Sequence, residues 1–332
     1  MIRQIFDGLY KMKPNYLLSI SSVAILILTA SYFLKFSNWN FDDSYIVYRI
    51  VNNILEGNGW VYNIDEPYNA STSILNTILI AVLSIVTSDI ALSGHIIGGG
   101  GIFLAAIIFF QIYQRDFGVF LGLLGALYLI RLMSTNSTWG LETNLFIGLV
   151  FLFIFIERKS RRGAWCTLGF IILARPDGAL LLIQKSAHEF LKNKVLPWQG
   201  LVIASLVILP WASYSLITFG QVFPETLGQK IWQGNSGYWG SGYVYLNGVI
   251  GKYSNNASFV DWMNLVFLVP GILVLIKLRS PFLYFIIFCF MQQGAYILFN
   301  VPFYHWYYAM ADIALSVSSL YTLGWLAKKI KI

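Results

Sequence analysis

The sequence predicts an all-α fold, a polytopic membrane protein with about ten transmembrane helices. Three observations carry this. Of 332 residues, 57% are hydrophobic and 11% charged, where a soluble domain carries about 25% charged residues. The apolar residues gather into runs at 17–36, 72–88, 91–112, 117–134, 140–156, 164–175, 177–187, 197–217, 260–278, 281–299 and 307–326, several of them near the roughly 20 residues that a crossing needs. Most basic residues lie between these runs, where Lys and Arg orient a membrane protein. The net charge of +7 therefore says nothing for nucleic acid. A single domain spans 1–332, with large extracytoplasmic loops at 37–90 and 218–259 and no separate soluble domain expected.

The run 17–36 follows the basic stretch "MIRQIFDGLYKMKPNY". It is too long for a signal-peptide core and no small-residue cleavage site follows, so it predicts an uncleaved first span. Within 41–56 the apolar residues fall at 46, 47, 50, 51, 54 and 55, a helical stripe. Asp42, Tyr45, Arg49, Asn52 and Glu56 run along a second face, and "EGNG" supplies the stop.

The run 72–88, "TSILNTILIAVLSIVTS", is short and opens on polar residues. If it crossed, "ERKSRR" (157–162) and the basic N-terminus would lie on opposite sides, against the positive-inside rule. As an amphipathic helix along the interface it places 16 of the 22 basic residues inside: Arg3, Lys11, Lys13, Arg115, Arg158, Lys159, Arg161, Arg162, Lys185, Lys192, Lys194, Lys277, Arg279, Lys328, Lys329 and Lys331. Both termini are then cytoplasmic, and the cytoplasmic loops read as solvated basic tethers. "GGGG" (98–101) fits close helix packing. The pair 164–175 and 177–187 is broken by "ARPDG", whose Pro and Gly end helices; two short helices meet there at an apex open to a polar cavity. Cys166 and Cys289 lie inside apolar runs, as buried thiols do, and make neither a disulfide nor a metal pair.

This topology gathers the loop 37–71, the turn "STNSTWGLE" (134–142), the ARPDG apex, the loop 218–259 and the turn "NVPFYHWYY" (300–308) on the extracytoplasmic side. They carry Asp42, Asp43, Arg49, Glu142, Arg175, Asp177, Lys230 and His305. Each has a structural alternative. Asp-Asp before a helix caps it, Glu142 suits a first helical turn, Arg175 and Asp177 can pair with each other, and His305 suits an interfacial aromatic belt. "YWGSGYVY" (238–245) fits either an aromatic sugar platform or an ordinary surface loop. Function rests on their convergence. Neighbouring residues on a helix point about 100° apart, so Asp42 and Asp43 divide roles, one orienting and one facing the cavity. Asp42, sharing a face with Tyr45 and Arg49, is the expected base.

"FDDSYIVYRIVNNILEGNGWVYN" (41–63), followed in order by "GLET" (140–143), "ARPDG" (174–178), "FPETLGQK" (223–230) and "PFYHWYY" (302–308), resembles the arabinofuranosyltransferase-like branch of the GT-C glycosyltransferases. The resemblance implies a GT-C-type membrane fold with an amphipathic helix after the first outer loop. It implies transfer of a sugar from a polyprenyl-phosphate carrier on the extracytoplasmic side of the plasma membrane, with an acidic catalytic residue mapping onto Asp42 and Asp43. Arg49, Glu142, Arg175, Asp177, Lys230, Tyr304 and His305 are the expected substrate-binding residues. Asp42, Asp43 and Glu142 are candidate ligands for a divalent cation, which neither their number nor their spacing requires. Where many relatives continue the first loop with a Gly-Tyr-Thr run, this chain has "PYNASTS" (67–73).

The chemistry requires a base for the acceptor hydroxyl, cations for the departing phosphate and a groove for the prenyl chain; a single displacement inverts the anomeric centre. The acceptor is a cell-envelope glycan, lipid or protein. A transporter or flippase of lipid-linked sugars is the alternative, since intramembrane charges serve that too, but it calls for polar residues through both leaflets. An assembly scaffold would need no carboxylate pair.

Overall fold

The computed structural model describes residues 14–330 apart from 136–137, 223 and 256. Arg3, Lys11, Lys13, Asn136, Ser137, Phe223 and Lys331, which figure in the sequence reading, lie outside the described residues. The described elements are helical. The first half of the chain forms α1 Pro14–Phe36, α2 Ser44–Leu55, α3 Ile74–Thr87, α4 Ile90–Phe117, α5 Val119–Thr135, α6 Thr143–Glu157 and α7 Arg161–Ala174. A 3-10 turn, Pro176–Gly178, leads into α8 Ala179–Asn193, α9 Trp198–Phe219, α10 Glu225–Asn235 and α11 Val244–Asn255. The chain closes with α12 Phe259–Lys277, α13 Phe282–Leu298 and α14 His305–Ile330.

Each predicted apolar run carries a helix. The loop 218–259 differs from expectation, since α10 and α11 occupy much of it. α10 is short and polar, and α11 is short with its apolar residues broken up by Asn247, Gly248, Gly251 and Lys252, so neither forms an apolar run; α10 begins directly after the extended Pro224.

Segments Tyr16–Phe36, Ile90–Phe117, Trp198–Phe219, Phe259–Lys277 and His305–Ile330 are long and apolar enough to cross a membrane, and α3, α5, α6 and α13 are shorter apolar helices. α4 and α14 are largely buried, whereas α1, α9 and α12 turn apolar residues such as Ile27, Ile217 and Val266 outward. In water such stripes would drive association; here they are lipid-facing. The core between α4, α6, α13 and α14 is aromatic, with Phe109, Phe146, Phe151, Phe282, Phe285 and Phe288 buried.

α3 is two-faced in an inverted sense. Asn76, Thr77 and Ser84 are buried against the protein, while Ile78, Val82, Ile85 and Val86 are exposed. Its 14 residues span about 21 Å. At the other end of the bundle from the site, Lys185 is buried, 2.7 Å from Glu157 and 2.8 Å from Glu189, and Arg161 reaches Glu189 at 2.5 Å. Lys185 is therefore not a solvated tether, while the exposed Arg161 reaches in from solvent to the buried Glu189. They fasten α6, α7 and α8 together around the ERKSRR turn.

The glycine run brings backbones together. A Cβ on Gly101 would lie 2.2 Å from the Asn144 carbonyl oxygen, and one on Gly148 would lie 2.8 Å from the Gly101 oxygen. At Gly100 it would meet nothing within 4 Å. Gly101→Leu should therefore force α4 from α6 and cost at least about 1–3 kcal/mol, whereas Gly100→Leu should leave the melting temperature near that of the parent. Thermal unfolding in detergent, followed by size-exclusion chromatography, compares the two; equal melting temperatures would refute the close α4–α6 contact.

Candidate active site

The segments gathered by the charge parity meet at one end of the bundle, around a cavity of about 290 Å³. Asp43 at the start of α2, Ser71–Ser73 before α3, Glu142 before α6, the Arg175–Asp177 turn, Lys230 on α10, Tyr296 on α13 and Tyr307 on α14 line it.

The two aspartates do not cap α2 with their side chains. Asp43, the residue before the helix, is already in a right-handed helical conformation and its carboxylate accepts no capping bond; side-chain capping needs an extended residue there. The Asp42 carboxylate instead accepts the backbone N–H of Asp43 at 2.9 Å. Asp43 is left half-buried in the cavity wall. Its carboxyl is pushed above the usual range by burial and then by the Asp42 charge, while Lys230 pulls it back. Asp42 is exposed and lies within electrostatic reach of His305.

Glu142 reaches the cavity because the turn before α6 docks on α2. Phe41 N–H donates to the Trp139 carbonyl. Gly140, with φ +92°, allows an approach in which a Cβ would lie 2.2 Å from the Tyr48 hydroxyl. Asn40 holds the same corner, accepting from Tyr48 at 2.9 Å and bonded to His95 at 3.0 Å. Glu142 makes no cap bond either. Burial raises its pKa although Arg175 opposes the shift.

The ARPDG sequence builds the third corner. Arg175 is extended, φ −154° and ψ 134°, as a residue before proline prefers. That break lets its guanidinium fold onto Asp177, with Nε donating to Oδ1 at 3.2 Å and an Nη to Oδ2 at 3.1 Å. A second Nη donates to Glu142 at 3.4 Å. The Tyr296 hydroxyl accepts from Arg175 at 2.9 Å and donates to Asp177, which also accepts from Gln292 at 2.8 Å. Arg175 is 8% exposed. With Asp177 and Glu142 it forms a buried ion-pair network.

Lys230 is different. It lies 4.1 Å from the ring centroid of Tyr304, within cation–π range, and no carboxylate with a described side chain pairs with it. Tyr304 accepts from Gln233 at 3.0 Å and stacks on Trp306. Arg49 does not join the site. Exposed, it donates to the Tyr62 carbonyl at 2.7 Å and to Asn63 at 3.2 Å, pinning the loop after α2. His305 lines a larger neighbouring cavity rather than this one. Asp42, Asp43 and Glu142 do not converge as a cation site, since Glu142 turns to Arg175; among the described residues no three His, Cys, Asp or Glu side chains do. Tyr296, Gln292, Trp306, Tyr307 and Ser71–Ser73 were missed. The signal for the first two was present, as Gln292 and Tyr296 lie four residues apart in an apolar run, hence on one helix face, where polar groups mark function.

Among solved structures, ArnT from Cupriavidus metallidurans, bound to undecaprenyl phosphate, matches 94% of this chain and 60% of its own, with a TM-score of 0.66 at 14% identity. The chain has a GT-C fold. The resemblance to the arabinofuranosyltransferase-like GT-C branch is met by a curated relative, the terminal beta-(1->2)-arabinofuranosyltransferase of Mycobacterium tuberculosis, 26% identical over 295 residues. That match covers 80% of this chain and 45% of the relative, so the chain spans less than half the relative's length. No family model matches the chain.

The site separates its two cations. Arg175→Ala leaves Asp177 and Glu142 buried without their partner and should cost about 3–5 kcal/mol of stability. Lys230→Ala breaks no ion pair with a described side chain and should keep the melting temperature within a few degrees. Thermal unfolding of both variants in detergent checks this; equal destabilisation would mean that Lys230 is also structural.

Proposed function

We propose that the protein is an inverting glycosyltransferase. It moves a sugar from a polyprenyl-phosphate carrier to a cell-envelope acceptor on the extracytoplasmic side of the plasma membrane. One observation carries the reading: a half-buried carboxylate that caps no helix, Asp43, shares a cavity with Lys230, a cation within its electrostatic reach and in no direct ion pair with a described side chain. The undecaprenyl phosphate bound by the GT-C neighbour supports a lipid-phosphate donor. The relative's name makes a polyprenyl-phosphoryl arabinofuranose the first donor to test.

In this reading the acceptor hydroxyl oxygen attacks the anomeric carbon from the side opposite the phosphate. The bond from that carbon to the phosphate oxygen breaks, and its electron pair leaves with the polyprenyl phosphate. Asp43 takes the hydroxyl proton; its raised pKa makes it a better base than an ordinary carboxylate. Lys230 donates to the departing phosphate as a point charge. Arg175 stays on Asp177 and Glu142 and holds the cavity wall. Asp42 orients Asp43 through its backbone N–H. This gives the base role to the second aspartate rather than the first, because Asp43 is the one in the cavity.

Purified protein with the donor and a soluble arabinofuranosyl acceptor tests the reading. Asp43→Asn should lower transfer by about 10²–10⁴-fold with donor binding kept, and Asp42→Asn should retain part of the activity. Near-parental transfer by Asp43→Asn would remove the proposed base.

The pH profile gives a second test. A base works deprotonated, so kcat/KM should fall as pH drops through the Asp43 pKa, at a pH above the ordinary value of about 3.9. Asp42→Asn removes a charge that raises that pKa and should move the limb to lower pH. Lys230→Met removes a charge that lowers it and should move the limb up. Limbs unmoved in both variants would assign the titration elsewhere.

A further inference from the structure

At the end of the bundle away from the candidate active site, four segments bring six basic side chains into one patch. Arg115 comes from the end of α4, Arg158 from the turn after α6, Lys277 and Arg279 from the end of α12 and its turn, and Lys328 and Lys329 from the end of α14. All six are exposed. Tyr321 ties the segments together beneath them. Its hydroxyl accepts from Ser280 at 2.8 Å and bonds to the Asp116 side chain, and its ring packs edge-on against Tyr113 and Phe117. Lys328 donates to the Asp116 carbonyl at 3.2 Å, and Arg158 to the Arg279 carbonyl at 2.6 Å.

The charge of this patch is not neutralised. None of the six forms an ion pair with a described side chain. Arg158 and Lys328 bond to backbone carbonyls, and Lys277 and Lys329 lie 6.0 Å and 4.7 Å from the ring centroid of Trp325; such contacts leave the charge in place. Asp116 lies within electrostatic reach of Arg115, Arg158 and Lys328, but it is one acid among them. Glu157 and Glu189, nearby, are already taken by Lys185 and Arg161. The backbone adds a second observation. Arg279 follows α12 in the left-handed conformation, φ +50°, with its N–H on the Ile276 carbonyl and the Ser280 N–H on the Leu275 carbonyl. That is the helix stop glycine favours, and an arginine there is strained. A strained arginine on a patch of unpaired cations points to a ligand that uses it.

Apolar surface borders the patch. Leu273 and Ile276 on α12 and Leu323 and Leu326 on α14 are exposed, three residues apart on each helix and hence on one face, and the two helices pack against each other. Trp325 lies under Lys277 and Lys329, an indole of the kind that marks a membrane interface. Clusters of Lys and Arg beside membrane helices attract anionic headgroups. We propose that this patch binds the phosphate headgroup of an anionic phospholipid, with its acyl chains along the exposed faces of α12 and α14. The lipid belongs to the leaflet at the far end from the candidate active site and is distinct from the polyprenyl-phosphate donor. The proposal needs only the membrane fold and does not rest on the glycosyltransferase reading.

Native mass spectrometry of delipidated protein in detergent tests this, with palmitoyl-oleoyl phosphatidylglycerol and the phosphatidylcholine of the same chains as probes. We expect the parent to retain phosphatidylglycerol over phosphatidylcholine, and phosphatidylglycerol to raise its melting temperature. Arg279→Gly suits the left-handed turn, so it should keep or raise the melting temperature of the lipid-free protein. It should nonetheless weaken phosphatidylglycerol binding at least about threefold. Adding Lys328→Gln and Lys329→Gln should bring the loss to at least about tenfold, roughly 1.4 kcal/mol. If that triple variant elutes as aggregate, Arg279→Gly carries the test alone. Undecaprenyl phosphate binding should be unchanged in both. Unaltered phosphatidylglycerol binding in the variants overturns the proposal, as does equal retention of phosphatidylcholine by the parent. An equal rise in melting temperature with glycerol phosphate would make the patch a free-anion site, and loss of undecaprenyl phosphate would make it part of the carrier's path; either result also overturns it.

Discussion

The site depends on the need to neutralise one buried guanidinium. Arg175 is held at a break between two helices among apolar neighbours, where an uncompensated charge costs several kcal/mol. Asp177 answers from two residues away, which is possible only because Pro176 stops the helix and leaves Arg175 extended. Glu142 answers from a different segment, and Tyr296 and Gln292 from a third. One charge thereby fixes the relative positions of α6, α7 and α13 at the end of the bundle where the cavity opens. Lys230 and Asp43 are set on this frame without belonging to it.

The first loop is held by a separate set of contacts. Asn40, Tyr48, His95, Trp139 and Gly140 lock the entry to α2 against the turn before α6. Asp42 then spends its carboxylate on the backbone of its neighbour. Two adjacent acids that look equivalent in the sequence end in different surroundings, one exposed and one half-buried.

Much of the fold was legible because lipid imposes long apolar segments, and these stand out whatever their order. The glycine run and the ARPDG break were legible for similar reasons, since close backbone contact and a proline stop are local effects. What escaped was direction. Asp42, Tyr45, Arg49, Asn52 and Glu56 do share a face at α2, but that face is exposed, and only the docking of α2 on α3 and α4 decides this. Arg49 is among the expected substrate-binding residues, yet it donates to the Tyr62 carbonyl, a contact no spacing foretells. α10 was hidden by its polarity and α11 by its shortness and the polar and glycine residues that interrupt it. The departure at residues 67–73 lands on the cavity wall, through Ser71, Thr72 and Ser73, which gives a place to the difference in sequence without naming what it distinguishes.

The ionisable walls of the smaller cavity, Arg175 and Lys230 against Asp43, Glu142 and Asp177, sum to a negative charge when every group is ionised. A phosphate entering that space would add to the excess, which favours proton uptake by the carboxylates that burial already shifts upward, Glu142 and Asp43. Association with an anion is then proton-linked and strengthens as pH falls. A carboxylate base in the same cavity has the opposite requirement and must be deprotonated to act. Under the proposed function, loading and turnover would therefore pull toward opposite ends of the pH scale.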